Sequence, residues 1–286
     1  MMKAGYGDCL LIQLKTNGGK AFNILVDSGT ALSYSINNEK IITRFIENNI
    51  LDLIIVTHID DDHIKGFTRL FQKLLNDNSK KDKVKRVIYN SPYVVAKFFN
   101  YPFEELKKNE FRFNSSDTSA ASADDIQQKL YDLDLLEDII TVNNGRSDIC
   151  YDGIKITFLS PSPHELVKFY EKYLKDKNTK KEKVADTKGE KSNNDYEFLL
   201  DELKSNTSIE QLNPYNRASI AFLVEEDSTG NALLMLGDSD YDVIRNKLIN
   251  LTFDRLSNQV RQFLCERFVS GSPAQAFSGS VVNQIQ

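Results

Sequence analysis

Apolar positions along the chain follow two periods, and the places where the period changes mark the elements. Cys9 to Leu14 is a short apolar run, and Asn17-Gly-Gly19 after it is a strong turn signal. Ala21 to Val26 then predicts the return strand of a hairpin, ending in the small polar loop Asp27-Ser-Gly-Thr30. From Glu39 to Asn49 the apolar residues Ile41, Ile42, Phe45 and Ile46 have helical spacing. Leu51 to Val56 is continuous and apolar, the pattern of a strand buried on both faces. It stops at Thr57-His58-Ile-Asp60-Asp-Asp62-His63, after which Ile64 to Leu75 turns helical again.

Val84 to Tyr89 predicts another strand, closed by Asn90-Ser-Pro92. The stretch from Tyr93 to about Asp138 is helical or irregular, with Asn114 to Ala123, rich in Ser, Ala and Thr, predicted as a loop. Ile139 to Val142 and Ile154 to Leu159 predict strands around a turn at Asp152-Gly153. Ser162 and Pro163 then fit a helix cap and first helical position. Lys175 to Asp195 holds seven lysines and five acids with almost no apolar residue, the composition of a flexible, solvated insertion. Ser219 to Glu225 and Ala232 to Leu236 predict a second hairpin, ending in Gly237-Asp238. Strands early, strands late and helices between give an α/β fold with its chemistry on loops at one edge of the sheets.

Composition narrows the classes. The 286 residues are 41% hydrophobic and 27% charged, enough for a sizeable core. A net charge of −5 argues against a protein that coats nucleic acid electrostatically, although a local basic groove is compatible with it. Three widely spaced cysteines, Cys9, Cys150 and Cys265, suggest reduced thiols and a cytoplasmic protein. Cys9 and Cys150 read as small core or strand-end residues. No apolar run approaches the roughly 20 residues of a membrane span.

The segment from Thr57 to His63 holds two of the three histidines and three carboxylates. In extended backbone, side chains two apart point the same way, so His58, Asp60 and Asp62 converge, and His63 enters from the start of the next helix. Imidazole and carboxylate are the usual ligands of zinc and of manganese-type ions. A plainer reading stays open, in which this is a polar loop and Asp62 caps the helix.

His58-x-Asp60-x-Asp62-His63, between a strand and a helix, is similar to the metallo-β-lactamase superfamily signature His-x-His-x-Asp-His. It resembles most the His-x-Asp-x-Asp-His subgroup, which includes the soluble domain of bacterial competence (DNA-uptake) channel proteins. Gly7-Asp8-Cys9, Leu25-Val-Asp27-Ser-Gly29, Asn216-Arg-Ala-Ser219 and Leu234-Met-Leu-Gly-Asp238 resemble further elements in the family order. The resemblance implies an αββα sandwich over residues 1–268, incomplete at its C-terminus, with 269–286 an irregular tail foreign to the fold. Truncation, a frameshift or divergence would each account for such a tail.

The same resemblance implies roles. His58 and Asp60 would bind one metal, Asp62 and His63 a second, and Asp238 would bridge them. Asp62 and His63 would thereby serve catalysis, and Asp27 would orient the ligands from behind. The cofactor would be one or two Zn2+ ions, with Mn2+ the alternative. The reaction implied is hydrolysis by a metal-bound hydroxide, on a phosphodiester or nucleic-acid-like substrate. Lys65 stands where the family has glycine, and either meets a substrate phosphate or lies along the helix surface. Asn90 and Ser91 either line the pocket or form a turn. The family's later histidines have no clear counterpart: His164 reads as an exposed first-turn residue or as a distant ligand, and no histidine follows Asp238. That gap supports an alternative, a metal-binding or interaction module with little catalysis. A regulatory partner docking through its lysine-rich insertion is a third.

Overall fold

β1 (Leu10–Lys15) and β2 (Ala21–Val26) pair antiparallel with Leu10 opposite Val26. The turn between them uses Gly19 at φ 77°, as the Asn-Gly-Gly sequence predicts. The computed structural model describes residues 2–109, 118–137, 148–178, 212–254 and 284–285. β3 (Leu53–Val56) and β4 (Val87–Tyr89) continue the first sheet in parallel, in the order β1-β2-β3-β4. The predicted starts at Leu51 and Val84 are slightly early: these two residues form an isolated bridge ahead of the strands. In the second sheet β5 (Ile149–Tyr151), β6 (Ile154–Phe158), β7 (Phe222–Glu226), β8 (Asn231–Met235) and β9 (Gln284–Ile285) are all antiparallel neighbours in that order.

Alternation along β3 explains the layering. Ile54 and Val56 face one core, shared with the helices α2 (Glu39–Asn48) and α3 (Asp61–Asn76). Leu53 and Ile55 face the other, where they meet Ile156, Phe158, Phe222 and Val224 of the second sheet. The far face of that sheet, through Leu223 and Leu234, packs on Ile244 and Leu248 of α9 (Tyr241–Asp254). The layers are therefore helices, sheet, sheet, helix, the αββα arrangement expected. No described helix is long and apolar enough to cross a membrane.

Several expectations need correction. α3 begins at Asp61 rather than Ile64, because its first turn is entirely polar and invisible to apolar periodicity. Residues 31–38, unassigned from sequence, form α1 (Ala31–Ser33) and a π-helical turn (Tyr34–Asn38) leading into α2. α5 (Pro92–Phe98) follows β4, after the one-turn α4 (Asn78–Lys81). Ser119–Ala123, expected in a loop, is the start of α6 (Ser119–Asp132), capped by Thr118. Its small residues Ala120 and Ala123 are buried where α6 packs on α3. The strand paired with β6 across Asp152-Gly153 is β5; Ile139–Val142 lies outside the described residues.

α7 (Pro163–Asn178) starts where Ser162 and Pro163 predicted, with the Glu165 carboxylate accepting from the Ser162 N–H and hydroxyl. It takes in Lys175–Asn178, so the predicted insertion begins inside a helix; its remainder, 179–195, lies outside the described residues. The short helix α8 (Pro214–Arg217) precedes β7. Of the tail expected to be irregular, Gln284–Ile285 pairs with β8, and 269–283 lie outside the described residues.

Candidate metal centre

β3 ends at Val56 and α3 begins at Asp61, so the histidine–aspartate motif spans a four-residue corner and the first turn of α3. Asp60 occupies the N-cap position with extended backbone (φ −67°, ψ 141°), yet its side chain makes no capping bond. Its carboxylate lies instead 3.9 Å from His58 Nε2. Asp62 and His63 belong to the first helical turn, so Asp62 is not the cap. Asp62 Oδ2 is 3.8 Å from His63 Nε2. Asp238 arrives from the end of β8, after Gly237 at φ 51°. Its Oδ2 lies 3.8 Å from His58 Nε2 and 3.7 Å from His63 Nε2. Of the five residues expected to ligate metal, His58, His63 and Asp238 thus meet in one group, with Asp60 beside His58 and Asp62 beside His63. Strand alternation does not explain Asp60 and Asp62, however; the turn into the helix brings each beside its own histidine.

Behind the histidines sits Asp27, fully buried and at φ 51°. Its Oδ1 accepts from the Thr57 N–H (2.8 Å), and its Oδ2 from the Thr57 hydroxyl (2.6 Å) and His63 Nδ1 (2.9 Å). Burial raises Asp27 above the ordinary carboxylate range, but the three donors on its two oxygens oppose that shift and suit the ionised carboxylate. Having given its single proton to Asp27, the Thr57 hydroxyl accepts from His58 Nδ1, 2.9 Å away. Both histidines therefore carry a proton on Nδ1, and both turn Nε2 toward Asp238.

Charge in the centre is unbalanced. Burial, and then the neighbouring His63, hold His58 well below the usual histidine range, so it is neutral. Its Nε2 lone pair is buried without a hydrogen-bond partner in the protein. Burial opposes a charge on His63 too, but the hydrogen bond to Asp27, and then the charges of Asp27, Asp238 and Asp62, raise it to about 9. Burial, and then Asp62, push Asp60 up to about 6; Asp238 is also raised, chiefly by burial. A lone pair with no partner, beside carboxylates that hold protons too tightly, is a donor set suited to a divalent cation. His58, His63 and Asp238 each offer an atom within 4.8 Å of the others.

The other predicted residues lie farther out. Lys65 pairs with Asp61 Oδ2 at 3.5 Å along α3. Asn90 is buried at the end of β4, and Ser91 caps α5 by accepting from the Val94 N–H. His164 is exposed in the first turn of α7 and belongs to neither group of metal-type donors found among the described residues. Cys9 is buried, and Cys150, in mid-strand, is exposed.

Sequence reasoning missed four contributors to the centre. Asp8 forms a second donor group with Asp27 and His63. Thr57 sets the tautomer of His58. The Asn216 amide donates to Asp238 Oδ2 (3.2 Å), and Ser219 Oγ lies 3.4 Å from His58 Nδ1. The spacing Asn216-x-x-Ser219 was the available signal for the last two.

Residues 2–77, the stretch from β1 through α3, match the family described as the metallo-beta-lactamase superfamily, whose members are generally metal-dependent hydrolases. No curated protein is similar enough to the chain to count as a match.

Proposed function

We propose that the chain is a metal-dependent hydrolase acting on a phosphodiester. The observation that carries this reading is the buried, unpartnered Nε2 of His58, set opposite His63 Nε2 with an Asp238 oxygen almost equidistant from both. His58, Asp60 and Asp238 would hold one cation, and Asp62, His63 and Asp238 a second. Bound there, such cations lower the pKa of water and offset charge that develops on an attacked ester. The protein's own part is orientation: Asp27 and Thr57 keep both Nε2 lone pairs on the site, and Asn216 fixes the Asp238 carboxylate. Zinc fits the nitrogen donors, and manganese the three carboxylates. The preference for a phosphodiester rests on the resemblance of the His-x-Asp-x-Asp-His motif.

The test pairs metal analysis with hydrolysis of bis-p-nitrophenyl phosphate and of single-stranded DNA. One to two ions per chain and slow turnover, abolished in His63→Ala, are expected. Slow turnover is expected because residues 239–286 hold no histidine to contact the developing oxyanion. Protein that binds no metal overturns the proposal. Two bound ions with no turnover select the second reading, a metal-binding module, which the exposed position of His164 favours.

Metal binding should also depend on pH. To hold a cation, His63 would have to give up a proton that it holds up to about 9, and Asp60 one that it holds up to about 6. In the metal-free protein the raised His63 stabilises the fold fully below its ordinary value of 6.5, and this contribution fades as pH rises through about 9. Asp60, raised above its ordinary 3.8, likewise contributes only at low pH, and that contribution is gone above about 6. Metal-free stability from these two groups therefore falls as metal affinity grows. The rise in melting temperature on adding Zn2+ should be larger at pH 8.5 than at pH 6; an equal rise at both would contradict the proton competition.

A further inference from the structure

Among the large apolar side chains of the described residues, Tyr6 (86% exposed), Leu32 and Ile36 (both 69%) are the most exposed. All three line one groove of about 900 Å3, which also reaches Asp8, Asp62 and Lys65. Apolar surface gathered in a concave site marks binding more often than chance exposure does.

The groove is built rather than frayed. Tyr6 sits on the turn Gly5-Tyr6-Gly7, with Gly5 at φ 79°. Gly7 lies so close to α3 that a Cβ on it would stand 1.7 Å from the Asp62 carbonyl oxygen. The turn is thus fastened one residue from His63. Its approach is pinned as well: Met2 N–H donates to the Cys9 carbonyl (3.0 Å), the Asn38 amide to Lys3 (2.9 Å) and the Ser33 hydroxyl to Ala4 (2.8 Å). Leu32 and Ile36, four residues apart, share one face of the helical segment 31–38, whose other side buries Tyr34. One wall is apolar. The other, at the start of α3, carries Asp61, Asp62 and Lys65, with Lys65 paired to Asp61.

We infer that this groove seats the ring-bearing part of the substrate, with Tyr6 stacking on it while the ester lies at Asp62, the end of the groove beside the candidate metal centre. This rests on the hydrolase reading and narrows it. The groove lining mixes Lys3 and Lys65 with Asp8, Asp61 and Asp62, so it lacks the basic track that a long polyanion needs. The ligand that fits is a small aryl or nucleoside phosphodiester, whose ring meets the apolar wall and whose single charge lies at the metal end.

The chain has no tryptophan, so Tyr6→Trp provides a single fluorescent reporter. With metal-free protein, bis-p-nitrophenyl phosphate should quench that fluorescence saturably, whereas dimethyl phosphate should not compete. Adding Leu32→Ser or Ile36→Ser should raise the dissociation constant about tenfold, the loss expected when one buried apolar side chain is truncated, with zinc content per chain unchanged. Linear, non-saturable quenching, or a constant unmoved by both serine variants, overturns the groove. So does self-association that depends on Tyr6 and Ile36, which would make the face an interface between copies, and so does tighter competition by oligothymidylate than by the small diester. Saturable quenching in a protein that never binds zinc retires the hydrolase reading and leaves a ring-binding groove; turnover with no change in either serine variant does the reverse.

Discussion

Asp27→Asn is expected to strip metal from the centre while leaving the fold recognisable, with affinity falling about 10–100-fold, the range for losing a group that orients metal-ligating histidines. Asparagine matches aspartate in size and is among the few residues that tolerate positive φ, so the backbone at 51° is not the variable. The variable is acceptor count. Asp27 accepts from three donors, and asparagine has one oxygen to offer. The Thr57 N–H belongs to the backbone and cannot turn away, so the oxygen goes to it and the amide NH2 faces Thr57 Oγ and His63 Nδ1. His63 must then accept at Nδ1 and carry its proton on Nε2, where a metal would bind. The Thr57 hydroxyl, now accepting, turns its own proton toward His58 Nδ1 and drives that ring to the same unproductive tautomer. One substitution thereby blocks both lone pairs. His63, raised to about 9 with Asp27 as its leading partner, should titrate lower in the variant, because burial then meets only the charges of Asp238 and Asp62. Imidazole nitrogen NMR reads the tautomers and the titration, and metal analysis reads occupancy. Wild-type zinc affinity in Asp27→Asn would show that the histidines do not depend on this carboxylate.

What could be read from the sequence divides by range. The histidine–aspartate loop was legible as a cluster because its residues are neighbours in sequence and follow a buried strand. Its polar helical turn was not, since Asp60-Asp-Asp-His offers no apolar residue to set a phase. Asp27 and Asp238 were reached only through the family resemblance; nothing in their own surroundings marks them. Asp8 was missed because its place depends on pairing: the register that sets Leu10 opposite Val26 carries the start of β1 alongside Asp27. The helical segment 31–38 escaped notice for the opposite reason. Its Leu32 and Ile36 face outward and Tyr34 inward, so the apolar pattern does not describe a core-facing helix. At α6, alanines and serines read as loop, but against α3 their small size is what permits close packing. The site chemistry was local information; the arrangement that aims it is long-range.

Gly66 shows how firmly that long-range arrangement is fixed. Gly66→Ala should lower stability by about 3 kcal/mol, although alanine in an open helix is favoured over glycine by about 1 kcal/mol. A Cβ at this position would stand 2.4 Å from a ring carbon of Tyr34 and 2.7 Å from the Ser28 carbonyl oxygen. Neither can yield. Tyr34 is buried, and Ser28 is locked to α3: its N–H and hydroxyl both donate to the His63 carbonyl (2.8 and 2.9 Å), and its Oγ accepts from the Phe67 N–H (3.0 Å). The serine hydroxyl thus stands between His63 and Phe67, where the helix would otherwise bond to itself. Relieving the clash requires α3 to retreat from the Asp27–Ser28 loop. The strain of overpacking, about 1–3 kcal/mol, then adds to two or three hydrogen bonds weakened at about 1 kcal/mol each. At roughly 2–4 °C per kcal/mol, the melting temperature should fall by about 6–12 °C. The retreat also pulls His63 from Asp27, so zinc should restore less stability than in the wild type. Gly230→Ala supplies the contrast: its φ of 69° strains any side chain, but nothing lies within 4 Å, and only the conformational cost of about 1–2 kcal/mol applies. Thermal unfolding of both variants, with and without Zn2+, separates the two costs; a Gly66→Ala protein as stable as Gly230→Ala would mean that α3 does not lean on Ser28 and Tyr34 as described.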